Sequence, residues 1–206
     1  MKRMGSIFLQ AAGAGLAISI GGTVYLSVEQ SIVGSVLFGV GLYAIVLNGL
    51  YLYTGKIGYL VQQTEVKPYL ALLLAAWIGN LAGTALGAGL LAQTRIGENI
   101  RERAVQLCQT KLSDSPASIL ILAFFCGILM YVAVDGFRST GNPLILIFCV
   151  SVFILCGFEH CIANMFYISL AGMWSVKSLS YLFFMTMGNS LGGMLIPALK
   201  LKKIQP

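Results

Sequence analysis

Two apolar stretches of this chain are too long for a single membrane crossing, and each is interrupted near its middle. Residues 31–63 exceed the roughly 20 residues that span a bilayer and contain Asn48, Thr54, Gly55 and Lys56. Residues 144–173 exceed that length again and contain Gly157, Phe158, Glu159 and His160. In hydrocarbon every backbone N–H and C=O needs an internal partner. An interruption at depth is therefore stable only where protein or a polar cavity surrounds it. Each long stretch reads as a broken span, two apolar pieces joined by irregular backbone.

Four further stretches have the length of simple spans. They cover about residues 5–27, 69–92, 117–134 and 179–199. Lys67 and Pro68 open the second of these, and Pro116 stands where the third begins, a position that Pro tolerates. Residues 93–115 read as a polar loop, 135–143 as a loop rich in turn residues, and 174–178 as a turn with Trp174 suited to the interface. Of the 206 residues 58% are hydrophobic and 10% charged, too few charges to cover a soluble domain of this size. The net charge of +6 is scattered among short loops and tails, with no basic stripe interleaved with aromatics, so nucleic acid is not an expected partner. The five cysteines form no C-x-x-C pair and four lie in apolar segments, which argues against a disulfide framework. Residues 5–27 lack a polar cleavage region and read as a true span rather than a signal peptide. Both the Lys2-Arg3 head and the Lys200–Lys203 tail are basic. Both termini are therefore expected on the cytoplasmic side of a cell membrane, which requires an even number of crossings.

The two halves echo each other. Gly79-Asn80-Leu81-Ala82-Gly83 matches Gly188-Asn189-Ser190-Leu191-Gly192 at an offset of 109 residues. The same offset carries Tyr51, in the first break, onto His160, in the second. Asn80 and Asn189 are accordingly expected to support the two breaks. Each half holds three spans, an odd number, so the second half enters the membrane from the opposite side. The expected fold is all-α: one transmembrane domain over residues 1–206, six helices in two inverted three-helix repeats (about 5–92 and 117–200). The second and fifth helices are broken and face each other. Helix N-termini exposed at such breaks favour anions.

A charged group at the bilayer centre costs about 2.5–3.5 kcal/mol on insertion scales, so Glu159 and His160 are expected to face a cavity. His160 is the only histidine, and an imidazole's ordinary pKa of about 6.5 suits proton exchange near neutrality. Asn164 falls one turn later on the same face if the helix resumes there. Glu159 beside the break is expected to accept backbone N–H groups and hold the bend. His160 with Cys156 and Cys161 matches no usual metal-ligand spacing, so neither metal nor cofactor is expected.

Gly157-Phe158-Glu159-His160-Cys161-Ile162-Ala163-Asn164-Met165 resembles the signature of the formate/nitrite transporter family. Leu52-Tyr53-Thr54-Gly55 is similar to that family's first broken-helix motif, which usually has Phe at the second position. Gly188-Asn189-Ser190-Leu191-Gly192-Gly193 resembles its last-helix motif. The resemblance spans nearly the whole chain. It implies an aquaporin-like protomer, a homopentamer, and one pore per protomer for formate, nitrite, hydrosulfide, lactate or acetate. By residue-wise match it implies apolar constrictions at Leu42, Leu52, Tyr53 and Phe153. It implies a central chamber lined by Thr54, His160 and Asn164, and a vestibule lysine at Lys111. The chain departs from the pattern at Gly127, where Asn is usual, and at Lys56, where a neutral residue is expected. The short segment before residue 5 speaks against gating from that end.

Together these features lead to an expected channel, not an enzyme, for a small monovalent weak-acid anion. Lys111 and the helix N-termini draw the anion in. His160 gives it a proton or supplies positive charge, and the neutral acid crosses the apolar ring, where a bare charge would be costly. The bulky Tyr53 and Phe153 favour a small anion. The rival, an aquaporin-like pore for neutral solutes, lacks an Asn-Pro-Ala motif at either break.

Overall fold

In the computed structural model, which describes residues 4–202, every regular element is helical. Helices α1 (Met4–Ser27), α4 (Val66–Ala92), α6 (Pro116–Thr140) and α9 (Val176–Lys202) are long and apolar enough to cross a membrane. The two long apolar stretches appear as shorter pieces. α2 (Ser31–Leu47) is followed by the one-turn α3 (Thr54–Ile57) and a 3-10 turn over Gly58–Gln62. α7 (Pro143–Leu155) is followed by α8 (Cys161–Ala171). The basic residues Lys2, Arg3 and Lys203, on which the placement of the termini rests, lie outside the described residues.

Each interruption begins at a glycine in the left-handed region, Gly49 (φ 64°) and Gly157 (φ 68°), where a Cβ would be strained. These glycines lie 108 residues apart, one fewer than the 109 that separates Asn80 from Asn189. The structural equivalent of His160 is therefore Leu52, not Tyr51 as the sequence offset suggested.

Packing repeats between the halves. α1 lies against α4 and α2, and α6 lies against α9 and α7. The close approaches depend on glycine: a Cβ on Gly83 would run into the Ala12 carbonyl, and one on Gly192 into the Phe124 carbonyl. Small residues of this kind let helix backbones meet where lipid supplies no hydrophobic drive. The repeat is not symmetrical in its half-helices. α8 is buried at every residue but Ser169 and is wrapped by α1, α4, α5 (Gly97–Ser113) and α9. α3 has four residues before it tightens into the 3-10 turn.

Two stretches taken as loops are helical. α5 (Gly97–Ser113) occupies the polar 93–115 segment. Its charges mask a stripe of Ile100, Ala104 and Cys108, spaced at i, i+4, i+8 and buried against α8 and α1. Arg103 fixes this helix by donating from Nη1 to the carbonyls of Leu26 (2.9 Å) and Val28 (3.1 Å) at the end of α1. The 135–143 segment is mostly the last turns of α6, which runs on past Asp135 until Gly141 (φ 71°) ends it. Asn142 then caps α7, its Oδ1 accepting from Leu144 N–H at 3.0 Å, with Pro143 at the first helical position.

Gly83→Ala and Gly192→Ala should each cost roughly 1–3 kcal/mol through overpacking, lowering the melting temperature in detergent. Gly89→Ala, where a Cβ meets nothing within 4 Å, should not; equal melting of all three would reject the close-approach account. Burial also pushes the Cys108 thiol up to about 11, an effect that Lys111 opposes in part. At pH 7 it should react with maleimide at least about tenfold more slowly than a free cysteine. Rapid labelling would mean that 97–113 is a loop after all.

Candidate functional site

The two breaks are held by the same device. Asn80 of α4 accepts at Oδ1 from Tyr53 N–H (2.9 Å) and donates from Nδ2 to the carbonyls of Ala11 (2.8 Å) and Tyr51 (2.9 Å). Asn189 of α9 accepts from Cys161 N–H (2.8 Å) and donates to the carbonyls of Ala123 (2.8 Å) and Glu159 (2.7 Å). Each amide thus spans its break, joins it to α1 or α6, and replaces bonds that the interrupted helices cannot make. Both asparagines are fully buried.

The breaks bring together most of the residues singled out in the sequence. Thr54 begins α3 and His160 is the N-cap of α8. Thr54 Oγ1 and His160 Nε2 lie 2.8 Å apart, and both residues are buried. The other ring nitrogen, Nδ1, accepts from Ala163 N–H at 3.1 Å, which closes the first turn of α8. Phe153 stacks on the imidazole with centroids 5.6 Å apart and planes 22° from parallel, and Phe38 meets Phe153 edge-on. Asn164 donates from Nδ2 to the His160 carbonyl (2.9 Å) and to Glu159 Oε2 (2.8 Å).

Glu159 does not accept backbone N–H groups as expected. Its carboxylate takes Lys111 Nζ at 2.6 Å and Asn164 Nδ2 at 2.8 Å. The bend is held by its carbonyl through Asn189. Lys111 reaches this position because α5 is a helix that lays its last turn over the start of α8. Its ammonium is therefore engaged in an ion pair, not presented alone.

Two recesses approach this centre. One is lined by Lys111, Phe153, His160 and Asn164, with Tyr25, Leu107 and Tyr167. The other is lined by Leu42, Leu52 and Val134, with Lys56 and Arg138. Between them stand the buried side chains of Leu42, Leu52 and Phe153 and the Thr54–His160 contact. Tyr53 does not join this layer. Its hydroxyl bonds to Ser190 Oγ at 2.8 Å, and its ring borders an apolar groove with Leu70, Trp77 and Phe183. In the break register, Leu52 and His160 point inward and the next residue points away. Tyr25, Tyr167 and Arg138 escaped sequence reasoning. The two tyrosines read as ordinary span residues, and Arg138 sat in what looked like a loop.

Long apolar helices packed around two interrupted ones define a multi-pass helical membrane protein. The chain belongs to the formate/nitrite transporter family, whose model matches residues 1–201. It is 27% identical over 187 residues to the formate channel FocB of Escherichia coli and 25% identical over 193 residues to the formate channel FocA of Haemophilus influenzae. In each case 81% of this chain is covered, and it spans 66% of the relative's length, just under two thirds. A solved pentameric formate channel with formate bound superposes with a TM-score of 0.85 at 25% identity, covering 98% of this chain and 97% of that one.

The ion pair is enclosed, with side-chain exposures of 13% for Lys111 and 3% for Glu159. Removing one partner strands the other, at a cost of about 3 kcal/mol. Lys111→Met and Glu159→Gln should each lower the melting temperature in detergent, and the double variant should regain more than half of the summed loss. Strictly additive losses would show that the two charges are not coupled.

Proposed function

We propose that the protein is a channel for small monovalent weak-acid anions (formate, nitrite or hydrosulfide) in the cell membrane. In this reading the two interrupted stretches count as crossings two and five. The fold is then six crossings in two inverted repeats, assembled as a homopentamer in the bilayer with both termini cytoplasmic. The observation that carries the proposal is the Thr54–His160 hydrogen bond where the two breaks meet, between recesses that do not join. A buried polar pair among apolar side chains is where a permeating polar solute would need a partner.

The hydrogen bonds support the following roles. Nδ1 of His160 spends its lone pair on Ala163 N–H, so the proton of the neutral ring sits on Nε2. Nε2–H then donates to Thr54 Oγ1, and the threonine proton is left to donate onward. An anion reaching the layer meets the threonine hydroxyl as its donor, with the imidazole N–H bonded behind it. A second proton on Nδ1 would face Ala163 N–H and open the first turn of α8. His160 therefore serves as a neutral donor that stabilises charge, rather than as a resident cation. Leu42, Leu52 and Phe153 offer a bare anion nothing, and an unpaired charge among them is costly. The crossing species is the neutral acid, protonated through water in the recess. Asn164 would line the chamber, and Lys111 would hold Glu159 in place while its pairing limits it as a lure. Tyr53 would act from outside the layer, bracing the first break through Ser190.

The proposal is tested by formate flux in proteoliposomes. Wild-type flux should rise as pH falls, because above the acid's pKa the neutral fraction grows about tenfold for each unit of pH lowered. His160→Phe should cut flux by at least about tenfold, and His160→Asn, which keeps an N–H donor, should keep both measurable flux and its pH dependence. Undiminished flux in the phenylalanine variant would reject the role of His160. Loss of pH dependence in the asparagine variant alone would reject the neutral donor in favour of a titrating imidazole.

A further inference from the structure

The recess at His160 carries its charges as a closed pair, Lys111 with Glu159. The opposite recess is built differently. Its buried apolar floor includes Leu42 and Leu52, and its wall carries Lys56 and Arg138. Arg138 lies in the final turn of α6 with its guanidinium 5.5 Å from the centroid of the Tyr59 ring. The carboxylate one turn before it, Asp135, is already occupied: Oδ2 takes Lys200 Nζ at 2.9 Å and Oδ1 takes the Tyr59 hydroxyl at 3.3 Å. Among the described residues no carboxylate lies within the 4.0 Å ion-pair distance of Arg138. Lys56 Nζ stands 5.0 Å from the centroid of the Tyr51 ring.

An aromatic face holds a cation in place without cancelling its charge. A guanidinium keeps that charge at any physiological pH. Among the described residues, Arg138 thus keeps its charge beside a carboxylate, Asp135, that Lys200 and Tyr59 already hold. Low-dielectric walls focus the resulting field into the recess. The two mouths of the partition are electrostatically unequal.

We propose that Arg138, with Lys56 beside it, is the anion-collecting residue of the protein. It would concentrate small monovalent anions above the Leu42–Leu52 floor on this side only. The inference rests on the channel reading and adds to it a capture site and a direction. The bland alternative is that Arg138 only anchors α6 at the membrane edge and braces Tyr59. In that case its effect on flux would be independent of salt.

The test is initial formate uptake into right-side-out and inverted membrane vesicles holding the full chain, at ~20 mM and ~500 mM salt, where screening is weak and strong. Arg138→Gln should raise the half-saturating formate concentration about fivefold at low salt, with little change in maximal flux. That shift should appear in one vesicle orientation only and shrink below about twofold at high salt. Arg138→Lys should stay near wild type, and Lys56→Gln should show a smaller shift of the same kind. An Arg138→Gln curve matching wild type at both salts would overturn the inference and leave the channel reading standing. So would an equal loss at both salts that Arg138→Lys fails to rescue, or equal shifts in both orientations. Wild-type vesicles that take up no formate would remove the channel reading, and this inference with it.

Discussion

Backbone hydrogen bonding inside an apolar helix bundle is the constraint on which the rest of this structure depends. A helix interrupted there exposes N–H and C=O groups that no solvent can satisfy, at about 1–3 kcal/mol for each one left bare. Asn80 and Asn189 meet that demand with one side chain per break, each making three bonds that also tie the break to a neighbouring long helix. Aspartate could not do this, because it lacks the donor half of the amide. Glutamine adds a methylene where α4 and α9 approach α1 and α6 through glycine. The Gly-Asn pairs are therefore one device: the glycine brings the helices together and the asparagine spends that proximity on the break.

With the breaks fixed, the chemistry of the centre follows from what caps them. His160 is the N-cap of α8, so its imidazole is oriented by a backbone N–H before any solute arrives. Phe153 stacks on the same ring from α7. Thr54, the first residue of the opposed half-helix, completes the contact. The consecutive α7 and α8, with the distant α3, thus hold a single ring, which is the preorganisation a site needs if it is to offer a donor without rearranging. Glu159, next in sequence, carries a charge whose burial would be costly alone. Lys111 offsets that charge from α5, and Asn164 occupies the same oxygen from α8.

Much of this was legible in the sequence, for physical reasons. The length of the apolar stretches and the polar residues inside them located both interruptions, because lipid tolerates neither without cause. The shared Gly-Asn spacing located their supports. Other features were not legible. α5 hid because its buried stripe is only Ile100, Ala104 and Cys108, too small to outweigh charges on the other faces. The last turns of α6 hid because Asp135, Gly136 and Arg138 look like a turn until Lys200 and Tyr59 pair with Asp135 across the fold. The register of the breaks was misjudged by one residue, since Gly49 and Gly157 set it, and an unpaired glycine in sequence does not announce its φ. Tyr53 matches the constriction by motif, but its hydroxyl is held by Ser190 and its ring borders the groove of Leu70, Trp77 and Phe183.

That one-residue register bears on why the centre is asymmetrical. Equivalent positions of the two breaks carry Leu52 and His160, an apolar and a polar side chain. Had both been histidine, two rings would compete for Thr54, and one would lack a partner at the cost of a bare buried donor. Had both been leucine, the Thr54 hydroxyl would face the partition without its imidazole partner. The two breaks supply two equivalent positions, and this sequence places a buried apolar side chain at one and a hydrogen-bonding one at the other. The half-helices diverge accordingly. α8, which His160 caps, is the regular and buried one. α3, behind Leu52, has no side-chain cap and tightens into a 3-10 turn within four residues.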